Sequence, residues 1–145
     1  MKSDGHLFKA AREVSMNADY QGAGRPRIGC VIVYKGSILA KGWNTDKTHS
    51  VQEHYNKWRF KNSGNRYMPS KCHAEVAAIS KVRYLDIDMS KAKIYIYRET
   101  RGGKLAMARP CPACMQAIKD MGIKHIAYTT DDGYANELIK EEHNG

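Results

Sequence analysis

The chain has 145 residues, of which 42% are hydrophobic and 27% are charged. This composition is typical of a folded globular protein, and the length accommodates one core, so we predict a single domain over residues 1–145. We recognise no secretory signal and no run long enough to cross a bilayer, and we therefore expect neither a secreted nor a membrane-spanning protein. The cysteine usage fits a reducing compartment, and the cytoplasm is the expected location.

The net charge of +9 is unevenly distributed. Residues 131–145 carry five carboxylates and one lysine, which gives this segment a charge of −4 and leaves +13 upstream. Such an excess of cations favours an anionic partner, either a phosphorylated small molecule or a nucleic acid. A surface that is basic only for solubility is the alternative interpretation.

The first half of the chain predicts a helix followed by a β-hairpin. Apolar residues recur at helical spacing over 6–18, behind Ser3 as a candidate N-cap. Residues 28–34 and 37–43 are apolar, β-branched runs, and Lys35-Gly36 between them is typical of a tight turn. We therefore expect these two runs to pair as antiparallel strands.

The second half predicts alternating helices and strands. The predicted elements are, in order, a helix over 73–84, a strand over 93–97, a helix from Pro112 to a left-handed stop at Gly122, a strand over 123–128 and a helix over 134–142. The order strand, helix, strand implies a right-handed crossover and parallel pairing. The predicted fold is α/β: a mixed sheet, with an antiparallel first hairpin and parallel later strands, flanked by helices.

Three residues have the side chains that a catalytic zinc site requires. His73, Cys111 and Cys114 supply three ligands, and such a site keeps a fourth position open for water. The two cysteines are one helical turn apart near a helix N-terminus, where the helix dipole favours thiolates. Glu75 follows His73 closely enough to move the protons of a zinc-activated water. A structural zinc site is the alternative, but such sites usually take a fourth protein ligand and need no carboxylate.

The order His-x-Glu and then Pro-Cys-x-x-Cys is the signature of zinc deaminases, and it is present here over residues 73–75 and 110–114. On these motifs the chain resembles the cytidine deaminase-like superfamily, and most closely its branch of deoxycytidylate deaminases and tRNA adenosine deaminases. Residues 28–33 resemble the first strand of that branch, Val-Gly-Ala-Val-Ile-Val, and residues 42–44 resemble its Gly-aromatic-Asn. The resemblance implies a three-layer fold, a Zn²⁺ cofactor and a homo-oligomer.

The resemblance also implies substrate contacts. Asn44 matches the asparagine that contacts the sugar of the bound nucleotide, and Ala74 and Pro110, inside the two motifs, are expected to bind substrate. Arg27, just ahead of the first strand with Arg25, is positioned to meet a phosphate, although a solvated loop is the simpler account.

Two features depart from the branch. The loop over 99–109 is longer than usual before Pro-Cys, and we recognise no clear fifth strand after residue 130.

The polar segment over 45–71 remains open to several interpretations. Its aromatic residues alternate with cations, a composition suited to base stacking and phosphate contacts. Packing of a short helix over 51–61, which a capping box at Ser50 indicates, is the equally weighted alternative. A second metal site is a weaker hypothesis than a metal-free polar loop, and its candidate ligands would be His49, Glu53, His54 and Cys72.

The predicted function is hydrolytic deamination of a nucleobase by a zinc-activated water. We expect the substrate to be the cytosine of a free (deoxy)nucleotide such as dCMP. The alternatives are the same chemistry on a cytosine or adenine in RNA or single-stranded DNA, and a non-catalytic nucleotide-binding module. Retention of Glu75 speaks against the last, because loss of the proton carrier would be the simplest route to it.

Overall fold

The computed structural model describes residues 2–18, 27–44, 73–100 and 102–139. The described α-helices and strands are α1 (Lys2–Ser15), β1 (Arg27–Tyr34), β2 (Ser37–Trp43), α2 (Ala74–Val82), β3 (Ala92–Glu99), α3 (Pro112–Met121), β4 (His125–Thr130) and β5 (Gly133–Leu138), and a 3₁₀ helix, Met89–Lys91, precedes β3. Several predictions lie outside the described residues: the helix over 51–61, the basic aromatic segment over 45–71, Arg25, and the second metal site at His49, Glu53, His54 and Cys72. Among the helices that are described, none has the length and apolar character to span a membrane.

The five strands form one mixed sheet in the order β2-β1-β3-β4-β5. β1 pairs antiparallel with both β2 and β3, whereas β3 and β4 are parallel. The predicted hairpin and the predicted parallel crossover are therefore confirmed. Because β1 runs opposite to its two neighbours, the end of β2, the start of β1 and the end of β3 lie at the same edge of the sheet. This edge, called here the site edge, is where α3 begins after β3.

Helices cover both faces of the sheet, which gives the three layers that the sequence predicts. α1 packs on one face, where Phe8 meets the Tyr95 ring edge-on with centroids 5.4 Å apart. α2 and α3 pack on the other face, where Ile79 and Ile118 join a buried cluster that includes Ile96. α1 begins at Lys2, earlier than predicted, so Ser3 lies within the helix and is not its N-cap.

Residues Gly133–Leu138 form a strand, so the prediction of a helix over 134–142 is wrong for its described part, residues 134–139. β5 pairs antiparallel with β4 from Thr130↔Gly133 to His125↔Leu138, so only Asp131 and Asp132 separate the strands. Burial alternates along β5, as on an edge strand with one half-buried face. The fifth strand that we did not recognise is therefore present, and it runs antiparallel to its neighbour.

Candidate metal centre

The first half of the site comes from the start of α2. His73 is the N-cap residue, yet its side chain makes no capping hydrogen bond, and its Nδ1 instead lies 3.2 Å from the Cys114 sulfur. Glu75 lies in the first turn of α2 and is 6% exposed. A carboxylate at this position benefits from the positive end of the helix dipole. The start of α2 therefore contributes both an imidazole and a buried carboxylate to the site.

The second half comes from the start of α3. Cys111 is its N-cap, and its sulfur accepts a hydrogen bond of 3.5 Å from the backbone N–H of Cys114. Pro112 occupies the first turn, and Gly122 ends the helix in the left-handed conformation at φ 88°, both as predicted. Cys111 and Cys114 are free thiols. One helical turn thus brings both sulfurs to the face that meets α2.

The three predicted ligands meet at the site edge. The ligand atoms of His73, Cys111 and Cys114 all lie within 4.8 Å of one another, and His73 Nδ1 is 3.7 Å from the Cys111 sulfur. The ligand atoms of a tetrahedral zinc stand about 2.0–2.3 Å from the metal, and hence about 3.5 Å from each other. The observed separations and the imidazole and thiolate donors therefore fit zinc, and these three side chains of the described residues would leave one position of a tetrahedron open.

The surroundings of these side chains shift their pKa values in directions that suit a metal site. A hydrogen bond from the Cys114 side chain, helped by one from His73 and by its charge, lowers the pKa of Cys111 to about 4 against the opposing effect of burial. Burial raises the pKa of Glu75, and the nearby His73 partly offsets this effect. One thiol is therefore ready to coordinate, while the carboxyl group readily holds a proton.

The four predicted substrate-binding residues all lie at or near the site edge. Asn44 directly follows β2, and its side-chain oxygen accepts a hydrogen bond of 3.0 Å from the backbone N–H of Ile28. Ala74 and Pro110 are buried beside the ligands that they adjoin. Arg27 opens β1 and donates to the sulfur of Met16, 3.2 Å away, so its guanidinium reaches the end of α1.

The loop over 99–109 folds back in its described part, residues 99–100 and 102–109, and packs against the sheet. This segment is called the insertion. Glu99 forms an isolated antiparallel bridge with Leu105, and the Ala106 N–H donates to the Arg98 carbonyl over 3.1 Å. The Ala108 N–H then donates to the Thr129 carbonyl of β4 over 2.9 Å. The insertion therefore lies beside the ends of β3 and β4 before it leads into Pro110.

Thr129 and Glu137 are among the side chains that fix the insertion, and neither was singled out from the sequence. Thr129, which is fully buried, donates from its hydroxyl to the Ala106 carbonyl over 2.7 Å and accepts from the Arg98 N–H over 3.1 Å. Glu137 of β5 forms an ion pair with Arg109, whose Nε lies 3.1 Å from the carboxylate. The residues that precede Cys111 are thus bonded to β4 and β5.

Comparison with known proteins agrees with this geometry. The family model for the cytidine and deoxycytidylate deaminase zinc-binding region matches residues 1–130. No curated protein matches the chain.

Three similar solved structures share the fold. The dCMP deaminase of cyanophage S-TIM5, in complex with dCMP and dUMP, is 20% identical with a TM-score of 0.56, over 88% of this chain and 80% of that one. The cytidine deaminase of Burkholderia pseudomallei is 16% identical with a TM-score of 0.59, over 92% and 91%. The guanine deaminase of Bacillus subtilis is 23% identical with a TM-score of 0.53, over 87% and 63%.

The family match covers most of the chain, and the family is defined by a zinc-binding region that the clustered imidazole and thiols can form. The chain therefore belongs to the family of the cytidine and deoxycytidylate deaminase zinc-binding region, and it is a zinc-dependent hydrolytic deaminase.

Proposed function

We propose that His73, Cys111 and Cys114 hold the zinc ion and that Glu75 carries the protons of the reaction. The observation that carries this proposal is the meeting of one imidazole and two thiols within 4.8 Å, at the starts of two helices, with a buried carboxylate two residues from the imidazole. A structural zinc site would use the same ligands, but it gives no reason to bury an acidic side chain beside them.

When bound, zinc supplies the activation that makes water a nucleophile at neutral pH. Glu75 would accept one proton of the attacking water on a carboxylate oxygen as the water oxygen bonds to the ring carbon, and it would pass that proton to the adjacent ring nitrogen. It would then carry the second proton of the water to the exocyclic amine, so that the carbon–nitrogen bond breaks, ammonia leaves and the carbonyl group of the product forms. Burial of the carboxyl group keeps bulk water from exchanging that proton, and it strengthens the electrostatic interactions made with the ring.

We propose the cytosine of a free nucleotide such as dCMP as the substrate. Support comes from the net charge of +9, which attracts a phosphate, and from the similarity to a cyanophage enzyme whose solved complex contains dCMP and dUMP. A base in RNA or single-stranded DNA is the second candidate, because the cations and aromatic residues over 45–71 have the composition of a strand-binding surface.

The substrate contacts follow from this proposal. Asn44 would hold the sugar, Arg27 would meet the phosphate, and Ala74 and Pro110 would line the pocket around the base. Their position along the site edge supports the assignments of Asn44, Ala74 and Pro110, whereas the Arg27 side chain contacts Met16 at the end of α1 and its assignment rests on its charge. We also infer a single domain, a cytoplasmic location and a homo-oligomer, as the sequence and its resemblance imply.

A panel of substrates tests the proposal. Zinc content is measured first, and ammonia release is then assayed with dCMP, CMP, cytidine, adenosine, guanine and short single strands of RNA and DNA. We expect dCMP to react fastest and Glu75→Gln, which preserves the shape of the side chain, to lose activity while retaining zinc. Faster release from an oligonucleotide would favour the second candidate, and release from none of these compounds would refute the enzymatic assignment of this site.

A further inference from the structure

Helix α2 lies directly on strand β2 at Gly42. A Cβ atom at this glycine would stand 2.5 Å from the backbone nitrogen of Ala78 and still closer to the carbonyl oxygen of Ala74. Side chains essentially never approach another atom so closely. Both obstructing atoms belong to the helix backbone, so a side chain cannot rotate away, and any residue larger than glycine must displace the helix.

The metal centre depends on where α2 lies. His73 and Glu75 come from the start of α2, whereas both sulfurs come from α3. The relation between Cys111 and Cys114 is fixed within a single turn, but the relation between the imidazole and the sulfurs depends on two separate helices. The distance of 3.2 Å between His73 Nδ1 and the Cys114 sulfur therefore requires a fixed distance between α2 and the sheet, called here the depth of α2.

We propose that Gly42 is a positioning residue for the metal centre: its missing side chain lets α2 lie at the depth that places His73 against the sulfurs and Glu75 beside them. This inference rests on the proposed roles of His73 and Glu75. Gly42 acts through the backbone of Ala74, the residue between them, and it touches neither metal nor substrate.

The other face of the same hairpin provides a matched control. A Cβ atom at Gly29 would stand 2.5 Å from the backbone nitrogen of Ser15 and closer still to the carbonyl oxygen of Ala11, both in α1. The type of obstruction and the burial are thus equivalent, although Gly29 lies on β1, between two strands, and Gly42 lies on β2, at the edge of the described sheet. However, α1 lies on the opposite face of the sheet from α2 and α3 and carries none of the proposed ligands. Substitution at Gly29 therefore reports the general cost of separating a helix from this sheet.

The experiment compares two pairs of variants. Gly42→Ala and Ala78→Gly change the contact of α2 with β2, and Gly29→Ala and Ala11→Gly change the contact of α1 with β1. Ala78→Gly removes the methyl group that stands 3.0 Å from the Cβ position of Gly42, so it lets α2 lie closer to β2 without any obstruction and decides the question if Gly42→Ala does not fold. Each folded variant is titrated with Co²⁺, whose absorption spectrum reports the geometry of its ligands, and its zinc affinity is measured by competition with a chelator.

We expect both α2-side variants to alter the Co²⁺ spectrum and to weaken zinc binding, by about 10- to 100-fold for Gly42→Ala. Because a displacement of about 1 Å can cost about 100-fold in rate, we also expect Gly42→Ala to lower kcat by about that factor with a smaller change in KM. The α1-side variants should lose stability while their folded fraction retains the spectrum, the zinc affinity and kcat of the unmodified protein.

The proposal is overturned if the two pairs behave alike at equal folded fraction, whether all four variants change the Co²⁺ spectrum or none does. Its failure is distinguishable from that of the proposed function. If the unmodified protein releases no ammonia from any compound of the panel, the proposed function fails, and the Co²⁺ titration still decides whether Gly42 positions the metal ligands.

Discussion

Substitution of Thr129 by valine should destabilise the protein through the loss of one hydroxyl group. Valine preserves the shape of the side chain, but it leaves the Ala106 carbonyl and the Arg98 N–H without the bonds of 2.7 and 3.1 Å that they make with Thr129. Each lost bond to a buried group costs about 1–2 kcal/mol, so we expect a decrease of about 2–4 kcal/mol in the free energy of unfolding. For a chain of this size, that decrease corresponds to a fall in Tm of about 5–10 °C.

The assay is urea denaturation of the zinc-loaded protein, in which the midpoint should fall without a change in slope. Thr129→Ser retains the hydroxyl and removes only a methyl group, so it should cost about 1 kcal/mol. Thr100→Val is the control within the insertion, because the Thr100 hydroxyl accepts an exposed bond of 3.3 Å from the Lys104 N–H, and its loss should have little effect. A larger loss for the serine than for the valine variant would refute the role assigned to the hydroxyl.

Two further predictions concern ionisable groups outside the metal centre. Burial, helped by the hydrogen bond of 3.0 Å that Tyr97 donates to Glu99, raises the pKa of Tyr97 to about 12. Since this pKa is about 10 in unfolded chains, the stabilisation is complete below about pH 10 and is lost as the pH rises towards 12. The difference in phenolate absorbance between the unmodified protein and Tyr97→Phe should therefore have its midpoint near pH 12, and a midpoint near 10 would contradict it. Glu137→Gln removes the ion pair with Arg109. Because both side chains of the pair are partly exposed, we expect the free energy of unfolding in urea to fall by less than about 1 kcal/mol. A larger fall that added salt does not reduce would contradict this expectation.

The candidate ligands could be recognised from the sequence because the motifs that contain them are local. Cys111 and Cys114 are related by one helical turn, and the signals for that turn, Pro112 and Gly122, adjoin them in the chain. The hairpin and the parallel crossover were also predictable, since hydrophobic pattern and connection length decide both.

Features that depend on distant residues were missed. The segment after residue 132 contains good helix formers such as Glu137 and Leu138, but pairing with β4 through a short turn makes it a strand. The packing of the insertion depends on the Thr129 hydroxyl, which lies more than twenty residues farther along the chain than Ala106. Gly42 did carry a signal, because an isolated glycine inside a strand indicates a close approach of another backbone.

The candidate metal centre depends both on local motifs and on contacts between residues that are far apart in the chain. The motifs supply ligands of the right chemistry, but His73 meets the sulfurs only because two helices are held at a fixed separation. The contact of α2 with Gly42 and the bonds of the insertion with Thr129 are both long-range, and neither belongs to a motif. A chain could therefore keep both motifs and lose zinc affinity through a substitution on β2, where no ligand is located. Matching of motifs identifies the reaction, whereas the strength of metal binding depends on the sheet beneath the helices.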